Sequence, residues 1–241
     1  MIALQQVTKK YINKTALKDV SITFEAGKIT GIVGENGSGK STTLKLIAGL
    51  LQPSSGNVLV DEERAGRRIS SKVAYMSELE SIYSFFTVGD AVDFYESQFE
   101  DFDRSQAEEI LTFMNLEHPQ KVKHLSKGNR GRLKMTLTLA RHAPYILLDE
   151  PFSGLDPMVR NSIVKGLIKF IDLDKQALII TTHEIKEIEP ILDDVIAIKQ
   201  GSILGREEVE DLRGNGHSVV DWLEQVYGGG SLEYNSSRTI R

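Results

Sequence analysis

The chain has 241 residues, of which 40% are hydrophobic and 26% charged, a balance that excludes a wholly disordered, collagen-like or coiled-coil protein. It has no cysteine, which excludes disulfides and thiolate chemistry and fits a cytosolic setting. Its net charge of −5 argues against dependence on nucleic-acid backbone, and no apolar run approaches the about 18 residues of a membrane span. The first residues, Met1-Ile2-Ala3-Leu4, lack the basic-then-apolar layout of a secretion signal.

Val20-Ser21-Ile22-Thr23-Phe24 alternates with period two and reads as a half-buried strand. After a turn at Ala26-Gly27-Lys28, the apolar run Ile29-Thr30-Gly31-Ile32-Val33 suits a strand covered on both faces. Leu44, Ile47, Ala48 and Leu51 recur at helical spacing, which predicts a helix from Lys40 to about Leu51, ended by Pro53-Ser54-Ser55-Gly56. Asn57 to Val60 and Val73 to Met76 read as short strands. From about Val88 to Leu139 the pattern is helical, with Val92, Tyr95 and Phe99 on one face and Ile110, Phe113 and Met114 on another. Its acidic residues read as a solvated face. Tyr145 to Leu148, Leu178 to Thr181 and Val195 to Ile198 are buried-type strands with helices expected between them, carrying the apolar pairs Ile163/Leu167 and Val164/Ile168. Strands separated by helices imply an α/β fold with a parallel sheet. Val219, Leu223 and Val226 predict one short helix, and Gly228-Gly229-Gly230-Ser231 opens an expected mobile tail.

Gly34-Glu35-Asn36-Gly37-Ser38-Gly39-Lys40-Ser41 fits G-x-x-x-x-G-K-[ST], a phosphate-binding loop. Its context is right: a buried strand before it and a helix after it. Glycines let backbone N–H groups turn inward around a phosphate, and the helix N-terminus adds a positive dipole end. Lys40 is expected at the β- and γ-phosphates, with Ser41 as a Mg²⁺ ligand. This loop alone serves kinases, GTPases and motor ATPases equally well. A second element, Leu147-Leu148-Asp149-Glu150, ends a buried strand. Asp149 is placed to hold the Mg²⁺ shell, and Glu150 to orient or deprotonate a water. Taken alone, such a pair is as readily a turn or helix cap.

Together these residues resemble the ATP-binding-cassette (ABC) ATPases, the nucleotide-binding subunits of ABC transporters, over about Met1 to Ile203. Leu125-Ser126-Lys127-Gly128-Asn129 resembles the family signature L-S-G-G-Q, and Ser153-Gly154-Leu155-Asp156 its D-loop. Thr181-Thr182-His183 is similar to the switch-histidine segment, Tyr11 to the adenine-stacking aromatic, and Tyr75-Met76-Ser77-Glu78 to the Q-loop. The resemblance implies a P-loop NTPase of ABC type: a mostly parallel sheet core, an antiparallel β subdomain and a helical lobe inserted at about 86–139. The cassette would span 1–215, followed by a short helix and tail over 216–241. Its expected ligands are ATP and Mg²⁺. Lys40, Glu150 and His183 take the catalytic roles, and Ser41, Glu78 and Asp149 face the metal. Tyr11, Gly34, Asn36, Gly37, Ser38, Gly39, Lys40, Ser41, Thr42 and Glu78 face the nucleotide of their own chain. Ser126, Gly128 and Asp156 would meet a second cassette, identical or different, packed head to tail around two ATPs.

Three positions depart from the pattern. Glu78 stands for the Q-loop glutamine and adds a hard oxygen ligand and a negative charge. Lys127 and Asn129 stand for a glycine and a glutamine of the signature. Lys127 either strengthens closure over the partner's ATP or points into water. Ile82, Tyr83, Phe85 and Phe86 crowd the segment where the family receives a short helix from the transmembrane subunit, so Phe85 or Phe86 is expected to be partly exposed. The expected protein is therefore an ATPase at the inner face of the cell membrane. It would drive an integral membrane partner, with a signature closest to that of small exporters. The alternatives are a soluble assembly or remodelling ATPase and a regulatory cassette without hydrolysis.

Overall fold

The computed structural model describes residues 1–79 and 82–228; the expected mobile tail at 229–241 lies outside the described residues. Two sheets form the frame. β1 (Ile2–Tyr11), β2 (Lys14–Phe24), β4 (Ser55–Val60) and β5 (Glu63–Arg64) make an antiparallel sheet in the order β2-β1-β4-β5. The second sheet contains β3 (Ile29–Val33), β6 (Val73–Met76), β7 (Tyr145–Asp149), β8 (Ala177–Thr182), β9 (Asp194–Lys199) and β10 (Ser202–Glu208), in the order β10-β9-β3-β8-β7-β6. All its pairings are parallel except β9–β10.

The strands of the second sheet read as apolar runs because both faces are buried. Ile146, Leu148, Leu178 and Ile180 face the core shared with α2 (Val88–Gln98), α3 (Arg104–Met114), α4 (Lys127–Leu139) and α5 (Pro157–Phe170). Tyr145, Leu147 and Ile179 face the core formed with α1 (Lys40–Ile47) and the antiparallel sheet. The chain ends, within the described residues, in α6 (Val209–Gly214) and α7 (Val219–Gly228). Val219, Trp222 and Leu223 of α7 are buried in the first core.

Several expectations are corrected. α1 stops at Ile47 instead of reaching Leu51, because Gly49 adopts φ +70° and lies against the Gly66 backbone, where a Cβ would come within 2.3 Å of a carbonyl oxygen. No helix joins β8 to β9. Two 3-10 turns, Ile185–Glu187 and Glu189–Ile191, replace it, the second containing Pro190. On α5, Ile163 and Leu167 are buried as expected, but Ile168 is 62% exposed, so its pairing with Val164 is not a core face. Strand β1 is not evident in the sequence pattern: its register shifts between Leu4 and Val7, where Gln6 takes φ +51°, and the shift breaks the alternation.

Arg141, just after α4, joins the helical region to the sheet. It is 4% exposed and donates to the Asp101 carboxylate at 2.9 Å through Nε and through Nη2, and to the carbonyls of Ser70 and Val73. Its guanidinium also stacks 3.9 Å from the centre of the Phe99 ring. Arg141→Ala leaves Asp101 and two carbonyls without a donor. It should destabilise the protein by about 3 kcal/mol in urea unfolding; a loss within experimental error would contradict this role.

Candidate functional site

The parallel register brings the carboxyl ends of β3, β7 and β8 side by side, with Val33 paired to Thr182 and Asp149 to Thr181. Ligands of open α/β sheets bind beyond such ends. The loop after β3 turns through Gly37 and Gly39, at φ +80° and +121°, into α1. At Gly34 a Cβ would come within 2.3 Å of the Ile198 carbonyl oxygen and 2.6 Å of Ser38 Oγ, so only glycine lets the loop pass this close to β9. Ser38 Oγ is buried without a partner among the described residues. Helices α2, α3, α4 and α5 each begin with a side-chain cap, from Thr87, Asp103, Ser126 and Asp156 respectively. α1 begins at Gly39 with none. Its first N–H groups and its dipole are left for an anion.

A cleft of about 430 Å³ lies over this loop. It brings together Tyr11, Asn36, Gly37, Gly39, Lys40, Ser41, Thr42, Glu78 and Glu150. Lys14 joins them, donating from Nζ to the Gly37 carbonyl at 3.0 Å. Tyr11 is 47% exposed, and Lys9 Nζ sits 5.3 Å from its ring centre.

The two adjacent carboxylates have different surroundings. Asp149, 1% exposed, accepts from Ser41 Oγ at 2.8 Å, Thr181 Oγ1 at 2.9 Å and Tyr75 Oη at 3.0 Å. Three hydroxyl donors thus satisfy this buried carboxylate. Burial, and then the Asp149 charge, push the Tyr75 hydroxyl well above its ordinary range, so it remains a donor. Glu150 takes φ +48° and turns off the strand end, its N–H donating to Thr181 Oγ1 at 3.0 Å. Its carboxylate lies 2.9 Å from Lys40 Nζ and 2.8 Å from His183 Nδ1. Lys40 Nζ also donates to the Gly34 carbonyl at 2.5 Å and the Glu35 carbonyl at 3.2 Å. A buried cation needs such oxygen partners.

Ser126, Gly128 and Asp156 do not line this cleft. Ser126 accepts from the Asn129 N–H at the start of α4, and Asp156 from the N–H groups of Met158 and Val159 at the start of α5. Gly128 packs against Val159, which joins the two helix starts. Lys127 is exposed, and its Nζ lies over Gly154, in the space a Cβ there would take. Of the aromatic segment, Phe85 is 71% and Tyr83 53% exposed, while Phe86 is partly buried and packs edge-on against both.

No local pattern marks Tyr75, Thr181 or Lys14 as a site residue. Tyr75 and Thr181 lie in the Q-loop-like and switch-histidine-like segments, but their part in holding Asp149 depends on strand register, which no local pattern encodes. The donors present fit ATP with Mg²⁺: a glycine-rich loop and an uncapped helix start for phosphate, and hard oxygens at Ser41 and Asp149 for the metal.

A family model described as ABC transporter matches residues 17–153, more than half of the chain. The chain belongs to the ABC transporter family. It is similar to the ABC transporter ATP-binding protein YtrB of Bacillus subtilis, 29% identical over 88% of this chain and 74% of that protein. It is also similar to the petrobactin import ATP-binding protein YclP of the same organism, 28% identical over 94% of this chain and 92% of that one. The lipopolysaccharide export ATP-binding protein LptB of Escherichia coli is 28% identical over 84% of this chain and 88% of LptB. Among solved structures, the dimeric post-hydrolysis cassette MJ0796 bound to ADP and Pi superimposes with a TM-score of 0.78 at 26% identity, over 87% of this chain and 99% of that one. This ABC protein is an ATP-binding, ATP-hydrolysing subunit with the P-loop ABC fold, and among its described residues no helix is long and apolar enough to cross a membrane.

Tyr75→Phe deletes one of the three hydroxyls on Asp149. The Mg²⁺ concentration for half-maximal ATPase activity should rise by about tenfold or more, as for other groups that hold a metal ligand in place. An unchanged Mg²⁺ dependence would remove Tyr75 from this role.

Proposed function

We propose that the cleft binds the triphosphate of ATP and that closure of two cassettes over it drives an integral membrane subunit. The observation that carries this reading is the uncapped start of α1 beside the Lys40–Glu150–His183 contact. This supports a site in which phosphate donors, the Lys40 cation and a candidate base lie together.

In this reading the N–H groups of Gly34 to Thr42 surround the phosphates, and Tyr11 offers its exposed ring to adenine. Lys40 exchanges Glu150 for phosphate oxygens, which frees the Glu150 carboxylate to take a proton from water. His183, already hydrogen-bonded to Glu150, holds that carboxylate and reaches the same water. Ser41, Asp149 and Glu78 would hold Mg²⁺, which when bound neutralises charge on the β- and γ-oxygens. Ser126 and Gly128, outside the cleft of their own chain, would face the ATP of a second cassette, and Asp156 would link the two sites. The dimeric MJ0796 cassette supports this pairing by likeness.

The cassette would span 1–215, with its helical lobe at about 86–139 turned to the membrane partner. The exposed ring faces of Tyr83 and Phe85 suit an apolar helix from that partner. The protein would then sit on the cytoplasmic face of the membrane. For direction, the signature segment Leu125 to Asn129 favours export. The relatives named for import and for export are equally similar at 28% identity and favour neither.

Glu150→Gln should bind ATP but hydrolyse it about 100- to 10,000-fold more slowly, and should accumulate ATP-dependent dimers on size exclusion. Wild-type turnover in this variant would remove Glu150 as the base. Glu78→Gln should shift the Mg²⁺ dependence of the ATPase, and an identical Mg²⁺ titration would show that Glu78 does not approach the metal.

A further inference from the structure

Helix α7 ends against the root of the phosphate-binding loop. The Tyr227 hydroxyl lies 3.1 Å from the Val33 carbonyl oxygen and 3.0 Å from the Ile198 carbonyl oxygen. Val33 is the last residue of β3, directly before Gly34. The Ile198 oxygen is the atom a Cβ on Gly34 would meet at 2.3 Å, and the Ile198 side chain lies beneath Gly39. One phenol proton thus bridges two parallel strands at the point where the loop leaves the sheet, as a shared donor to two carbonyls.

The rest of the helix fixes where that hydroxyl sits. Trp222, 1% exposed, packs over Gly205 of β10, where a Cβ would come within 3.2 Å of its ring. Val219 is buried beside it, and its N–H donates to Glu189 at 2.9 Å. Lys199 Nζ lies 5.6 Å from the Tyr227 ring centre. Burial, and then the charge of Glu35, raise the Tyr227 hydroxyl above its ordinary range, so the proton it donates is retained at neutral pH.

We propose that Tyr227 is a positioning residue for the phosphate-binding loop and that α7 braces this loop, so that nucleotide affinity depends on the C-terminal helix being docked. The bridge holds Val33 and Ile198 at the separation through which Gly34 passes. Without it the loop samples wider arrangements, and its N–H groups must be ordered again each time phosphate binds. The inference rests on the reading that this loop binds ATP, and it adds a dependence on a helix far along the chain.

Tyr227→Phe keeps the ring and removes only the hydroxyl. Calorimetric titration with Mg-ATP should show about three- to tenfold weaker binding, and KM for ATP should rise similarly while kcat is retained. Amide hydrogen exchange over 34–42 should quicken, with exchange in α3 and α5 unchanged. Lys40→Ala, titrated in parallel, tests the underlying reading separately and should lose binding. If Lys40→Ala binds normally, the loop is not the ATP site, and hydrogen exchange alone decides the brace. Wild-type exchange over 34–42 in Tyr227→Phe, or quickened exchange spread evenly over the whole chain, would overturn the proposal.

Discussion

The site depends on the oxygen partners that surround the buried Lys40 side chain. Lys40 is 4% exposed and has one carboxylate, Glu150, and two backbone carbonyls within reach. Such a cation is costly to bury without oxygen partners. Glu150 is itself 8% exposed, and among the described residues its carboxylate lies against Lys40 and His183, so Lys40 and Glu150 compensate for each other's burial. A triphosphate offers Lys40 a stronger set of oxygens. In the proposed mechanism such an exchange would link binding to chemistry, because the group it would release is the carboxylate proposed as the base.

Asp149 and Glu150 show how one dipeptide presents two carboxylates to different surroundings. Asp149 still lies on β7 and is held by hydroxyls from three different segments. One residue later the backbone swings to a positive φ, and Glu150 leaves the strand for the Lys40 side. An extended continuation would send the two carboxylates to opposite faces of the sheet. The left-handed turn, a conformation non-glycine residues seldom take, aims the second into the cleft, in line with strain being kept at functional sites.

Much of this was legible in the sequence wherever chemistry is local. The loop Gly34 to Ser41, the strand Ile29 to Val33 before it and the pair at the end of β7 are each contiguous, and each is found where its pattern places it. The helical stretch between Val88 and Leu139 also resolves into helices. What escaped depends on contacts between distant segments. Tyr75 reaches Asp149 across 74 residues, and Tyr227 reaches Val33 across 194, so neither could be assigned from its neighbours. Strand β1 was hidden by its bulge, and the link from β8 to β9 was read as a helix although Pro190 and two short turns carry it. Lys127, left open between two roles, is set against Gly154 by the packing of α4 beside the D-loop segment, which signature spacing does not encode.

The central claim is that Lys40 trades a carboxylate for phosphate when nucleotide enters. A crystal structure of the Mg-ATP complex tests it most directly. The account predicts Lys40 Nζ at about 3 Å from β- or γ-phosphate oxygens, with Glu150 released towards a water. Nucleotide bound elsewhere, or bound over the loop with Lys40 still on Glu150, would contradict it.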